Sequence, residues 1–134
     1  MIALVNPKSA NWGFRVPNSL LTLGAFLEGR YDYTIIDENL GVTAVNGLAK
    51  LIPGGVKYIG ITVMPAMQLR GAYAISREVK TRFPDVKIIW GGYFPSMHPN
   101  TVLKSPYIDF VLKGHAEYSF MELLDSLEGK PEAK

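Results

Sequence analysis

A single doubly wound α/β domain is what this sequence predicts, and three observations carry the prediction. Short apolar runs bounded by Gly, Pro and Asn alternate with longer segments of helical period along the chain. The apolar runs are hydrophobic at consecutive positions rather than alternate ones, as parallel strands covered on both faces require. The segments between them are long enough for right-handed crossovers that lay a helix over each strand pair.

Strand one is expected at Ile2 to Val5, two at Tyr33 to Ile36, three at Tyr58 to Val63, four at Lys87 to Trp90 and five at Phe110 to Leu112. All five read as too apolar on both sides for a half-wet sheet. Helix one is expected from about Asn18 to Glu28, with Leu20, Leu23 and Leu27 on one stripe, Pro17 near its start and Gly29 ending it. Helix two covers Thr43 to Ile52, turns Val45, Leu48, Ala49 and Ile52 inward and is stopped by Pro53-Gly54-Gly55. Helix three, Ala66 to Phe83, aligns Leu69, Ala72, Ser76, Val79 and Phe83 before Pro84. A brief turn at Asn100 to Lys104 stops at Ser105-Pro106, and the last helix, Ala116 to Leu127, buries Phe120, Leu124 and Leu127. Residues 1–128 form the predicted domain, and 129–134 read as a tail or the start of a linker.

Composition narrows the function classes. The 134 residues carry 14 Lys and Arg against 12 Asp and Glu and contain no cysteine. Roughly two-thirds of the unfolded surface of a chain this long can be buried, so one core suffices without disulfides or structural metal. The missing cysteines exclude thiolate zinc sites, protein-held iron–sulfur clusters and cysteine nucleophiles within these residues. A net charge of +2 without a basic run makes nucleic acid an unexpected partner. The apolar opening Met1 to Val5 lacks the positive flank and length of a signal peptide, and no stretch approaches a membrane span, so a cytoplasmic location is expected. Charged residues make up 19% of the chain, below the usual quarter, which suggests that some surface is covered by a ligand or another domain.

In an open parallel sheet ligands bind beyond the carboxyl ends of the strands, where the strand order reverses. The loops expected there hold Trp12, Phe14, Met64, Met67, Tyr93, Phe94 and Met97, where solvent would favour polar side chains. Two accounts fit: packing over the sheet end, or a broad apolar face for a ligand or docked partner. Gly91-Gly92 directly after strand four allows either a tight strand exit or close approach of backbone to a ligand. No Gly-x-Gly-x-x-Gly follows strand one and no Gly-x-x-x-x-Gly-Lys loop occurs, so phosphate cradles are not encoded. A phosphoacceptor site would need carboxylates after strands one and three, where the chain reads Asn6-Pro7 and Thr62-Val63-Met64. Asp37 reads as a strand-end cap or a solvated carboxylate. His98 and His115 sit in separate loops without a carboxylate triad and read as surface or loop-packing residues, with His115 the better placed for a ligand. Glu117 falls in the first turn of the last helix, where dipole capping competes with ligand binding.

With these residues in view, the chain resembles the N-terminal cobalamin-binding domain of B12-dependent radical SAM enzymes. The likeness runs through residues 17–27, Ile35-Ile36-Asp37, residues 59–64 and residues 74–80, and continues in Ile88 to Ser96, Asp109 to Gly114, Glu117 and Phe120. It implies a flavodoxin-like, Rossmann-like three-layer domain whose five-stranded parallel sheet holds a corrinoid across its carboxyl edge, the dimethylbenzimidazole tail threaded between strands. Thr62, Gly91 and Gly92 match positions that line that tail. The cofactor-binding set so implied is Asn6, Pro7, Trp12, Pro17, Ser19, Thr62, Val63, Met64, Gln68, Gly91, Gly92, Tyr93, Phe94, Gly114, His115, Ala116 and Glu117. At the last loop His115-Ala116 replaces the middle of the family's Gly-Glu-Gly-Glu. The Asp-x-His-x-x-Gly that supplies a cobalt-binding histidine in other cobalamin domains is absent after strand one. The resemblance therefore implies base-off cobalamin with no protein histidine on cobalt, its lower face covered by Val63, Met64 or Tyr93.

The cluster-binding Cys-x-x-x-Cys-x-x-Cys of the radical SAM barrel is also missing, so these residues hold no complete active site. The 4Fe-4S cluster and S-adenosylmethionine would belong to a partner barrel, in cis or in trans, and the parent reaction would be a methyl transfer or an oxidative cyclisation. Two other readings stay open. One is a cofactor-free docking domain using the same apolar edge as an interface; the other, disfavoured by the missing phosphate loops, is a flavin- or nucleotide-binding enzyme.

Overall fold

A computed structural model describes residues 1–8, 18–63, 67–113 and 117–129, apart from the side chains of Asn18, Ser19, Met67 and Tyr93. Five strands, β1 (Ile2–Asn6), β2 (Tyr33–Asp37), β3 (Tyr58–Thr62), β4 (Lys87–Gly91) and β5 (Phe110–Val111), form one sheet. Their order is β2-β1-β3-β4-β5, and every pairing is parallel. The helices are α1 (Asn18–Leu27), α2 (Ala44–Leu51), α3 (Met67–Arg82), α4 (Tyr93–Met97), α5 (Pro99–Leu103) and α6 (Glu117–Leu127). Among the described residues no helix is long and apolar enough to cross a membrane.

Two cores flank the sheet, and the strand alternation assigns side chains to them. Ala3, Val5, Ile59, Ile61, Val63, Ile88 and Trp90 point to one side, where Ala44, Leu48, Ala72, Ile75, Val79 and Val102 of α2, α3 and α5 meet them. Ile2, Leu4, Tyr58 and Ile89 point to the other and pack with Leu20 and Leu27 of α1 and Phe120 and Leu124 of α6. Fully burying one such side chain contributes about 2 kcal/mol, so these two aliphatic layers supply the main drive for folding.

The expected architecture and all five strands are present. β1, β3 and β4 are buried, but β2 and β5 are largely half-buried, which corrects the expectation that every strand is covered on both sides. The outer positions in the sheet explain this: each edge strand has a neighbour on one flank only. Gly29 has a φ of 78°, the left-handed conformation that ends α1. The turn expected at Asn100 to Lys104 is the short helix α5, and a second short helix, α4, forms within what was expected to be the loop after strand four. Pro99 supplies the fixed φ that suits the first turn of α5.

The amino ends of α1 and α6 are joined to the sheet at its carboxyl edge, and at the opposite edge polar bonds fix the far ends of the same helices. Asp125 of α6 is 1% exposed and accepts two hydrogen bonds from the Arg30 guanidinium, at 2.9 and 2.7 Å, and one from the Tyr31 hydroxyl at 2.6 Å. The Tyr58 hydroxyl donates to Glu128 at 2.7 Å. These bonds tie the end of α6 to the α1–β2 turn and to β3.

Candidate functional site

The strand order places β1 beside β3, with β2 on one flank and β4 and β5 on the other, so the order reverses at the β1/β3 junction. A crevice is expected outside the carboxyl ends there. Asn6, Thr62 and Gly91 occupy the last positions of β1, β3 and β4, and Thr62 and Gly91 are register partners.

Glycines define the space. A Cβ built on Gly91 would meet no described atom within 4 Å. Gly91 follows Ile89 by two residues and therefore faces the α1/α6 side, as Thr62 does. Two residues below Thr62, a Cβ on Gly60 would approach Leu4 Cδ2 and the Phe120 ring at 3.2 Å. Among the described residues, open space beside Gly91 and Thr62 thus gives way to packed core one pleat down, about 7 Å along the strand. The result is a notch in the sheet end, with Thr62 and Gly91 on its sheet wall and Phe120 below.

Gly92 has a different role. Its φ is 105°, and an added Cβ would lie 3.1 Å from Thr62 Oγ1, 3.1 Å from Val63 N and 3.2 Å from Val63 O. The reversal lets Val63 N donate to Gly91 O at 2.9 Å and Phe94 N donate to Val63 O at 3.1 Å, which locks the β4 exit over the end of β3. Ser96 adds a hydroxyl bond to Gly92 O at 2.7 Å.

Asn6, Pro7 and Gln68 converge on the β1 side. Gln68 is buried, and its Nε2 donates to Asn6 Oδ1 and Pro7 O, both at 2.8 Å. Asn6 Nδ2 donates in turn to Asp37 Oδ1 at 3.2 Å. Asp37 Oδ1 also accepts from Asn39 N at 3.0 Å and Asn39 Nδ2 at 2.9 Å. Asp37 is 4% exposed, so it is a strand-end cap and not a solvated carboxylate; its Oδ2 is buried without a partner. Glu38 accepts from Lys8 N and Ala44 N, fixing the chain after β1 against the start of α2. This carboxamide and carboxylate network holds the backbone on one side of the crevice in a set shape.

The structure places two of the expected contact residues as follows. Val63 is fully buried, because it continues the Ile59–Ile61 alternation into the α2/α3 core. The Phe94 ring lines a groove on the α3 side and lies 5.0 Å from the His98 ring. Glu117 is half-buried in the first turn of α6. Ser19 and Tyr93 lie within α1 and α4, but their side chains are outside the described set, and Trp12, Pro17, Met64, Gly114, His115 and Ala116 fall outside the described residues altogether. The internal bonds of Asn6 and Gln68 were not readable from the chain, since they join residues 62 positions apart.

A family model for the B12 binding domain matches residues 15–124. The chain belongs to the B12-binding domain family. A curated relative, the anaerobic magnesium-protoporphyrin IX monomethyl ester cyclase of Synechocystis, is 26% identical over 141 residues, covering 95% of this chain. This B12-binding domain spans only 28% of that relative's length. Among solved structures, the cobalamin-dependent S-adenosylmethionine radical enzyme OxsB, with aqua-cobalamin and S-adenosylmethionine bound, superposes with a TM-score of 0.80 at 24% identity. That match covers 99% of this chain and 19% of that one. The radical S-adenosylmethionine methyltransferase TsrM from Kitasatospora setae gives a TM-score of 0.79 at 20% identity, covering 97% of this chain and 26% of that one. These superpositions show the shared fold.

Proposed function

We propose that residues 1–128 are a cobalamin-binding module that presents a base-off corrinoid to a radical SAM domain supplied in cis or in trans. The observation that carries this reading is the notch at the carboxyl edge, where the missing Gly91 side chain leaves space free of the described residues beside Thr62. A flat nucleotide base fits such a site: one wall is side-chain-poor backbone, one hydroxyl is available to it, and the floor is apolar. The family membership and the radical enzymes that share the fold support the cofactor and the partner domain.

Cobalamin when bound would supply the alkyl-transfer or radical chemistry. This chain's own residues bind and orient it: Thr62 and Gly91 receive the nucleotide tail, and Asn6, Pro7 and Gln68 hold the crevice shape. The only histidines are His98 and His115, and the loop after β1 has none, so that loop would offer a bound cobalt no imidazole. His98 is exposed beside Phe94. With Val63 committed to the core, Met64 and Tyr93 are the apolar candidates for the lower face.

The test mixes the purified chain, and the full parent protein where one exists, with hydroxocobalamin, removes free ligand and records the visible spectrum. Retained corrinoid bands are expected, together with a Co(II) electron paramagnetic resonance spectrum lacking nitrogen superhyperfine splitting. Failure of both proteins to retain the corrinoid would favour the cofactor-free docking reading, and nitrogen splitting would contradict the base-off assignment.

A further inference from the structure

On the other face of β4 from Gly91, α3 and α5 part to leave a groove of about 490 Å3, within the range of small-molecule sites. Leu69, Trp90, Phe94, Val102 and Ile108 line it. The Trp90 indole N–H donates to Ser76 Oγ at 3.0 Å, so this one polar group is satisfied inward and the floor presents carbon.

The lip is of opposite character. Arg70 and Arg77 border the groove from α3, seven residues apart and hence on nearly one helical stripe, about 10 Å apart along the axis. Both are exposed, and neither takes part in an ion pair or hydrogen bond among the described residues. Elsewhere Arg30 and Lys80 are paired with Asp125 and Asp109. Among the described residues no Asp or Glu lines the groove. Two unpaired guanidiniums beside an acid-free apolar cleft are charge-complementary to an anion, and a planar guanidinium binds carboxylate or sulfonate oxygens in a bidentate manner.

We propose that this groove is a second ligand site, for a small organic anion whose apolar body lies on Trp90 and Phe94 and whose acidic group meets Arg70 or Arg77. The site is separate from the corrinoid notch, because Trp90 and Gly91 project to opposite faces of β4.

The test is fluorescence titration with two probes of one shape, the anionic 8-anilinonaphthalene-1-sulfonate and the uncharged N-phenyl-1-naphthylamine. A single saturable site is expected, with the sulfonate bound about tenfold more tightly, the scale of one charge-assisted contact. The double variant Arg70→Gln/Arg77→Gln should erase that preference while leaving the neutral probe's affinity in place. Ala74→Trp, at an exposed position on the lip, should block both probes. Hydroxocobalamin retention should be the same in all these variants and the parent chain, so failure here is distinguishable from failure of the corrinoid reading. Equal affinity for the two probes, a preference that survives the double variant, or undiminished binding to Ala74→Trp would overturn the proposal.

Discussion

Gly91 and Gly92 are adjacent, yet an added side chain would meet different surroundings at each. At Gly91 it would enter open space at the sheet end; at Gly92 it would press on Thr62 and the Val63 backbone in a left-handed conformation. Gly91→Leu should therefore fold like the parent, by thermal unfolding, and lose cobalamin retention. Gly92→Ala should lower stability by more than about 1 kcal/mol, because both the positive φ and the backbone contacts oppose a Cβ. Loss of stability in Gly91→Leu with cobalamin still retained would place the notch elsewhere. The Gly-Gly pair was visible in the sequence as a strand exit or a ligand approach, and it serves the first through Gly92 and offers room for the second through Gly91. The directions of Val63 and Phe94 were less visible: alternation along β3 sends Val63 into the core, and the α4 turn carries Phe94 over to the α3 side.

At the scale of elements, apolar runs and helix stops located β1, β3, β4, α1 and α6 within a residue or two, since burial on both faces leaves a dense signature. The edge strands β2 and β5 fell equally close. The segment after β4 was harder: residues 93–97 read as part of a loop, whereas they form the short helix α4. The polar ties at the end of α6 have a consequence at high pH. Burial and then the hydrogen bond to Glu128 push the Tyr58 hydroxyl up to about 12, and burial and then Asp125 raise Tyr31 in the same direction. A tyrosine whose pKa rises on folding stabilises the native state fully below about pH 10, its unfolded value, and loses that contribution as pH rises through the folded value. Urea midpoints should thus hold steady to about pH 9.5 and fall from there toward pH 12. Tyr58→Phe should start lower at neutral pH and fall less steeply, and an alkaline slope as steep as the parent's would show that this hydroxyl does not contribute to it.

The molecule as a whole was readable because βαβ alternation and right-handed crossovers leave few topologies for five parallel strands. The order β2-β1-β3-β4-β5 places the reversal beside β1 and β3, and the side chains near it then follow from pleat parity. Partners remote in sequence, such as Gln68 with Asn6 or Asp125 with Arg30, depend on the folded chain and leave no local pattern. The groove between α3 and α5 likewise arises from three separate segments. The central claim is that the notch at Thr62 and Gly91 receives the nucleotide tail of cobalamin. It is tested most directly by comparing, in one titration of the cobalamin-retaining protein, the affinities for cobalamin and for cobinamide, which lacks that tail. Cobalamin should bind at least about tenfold more tightly, the equivalent of burying one or two methylenes' worth of the base's apolar surface. Equal affinities would contradict the account.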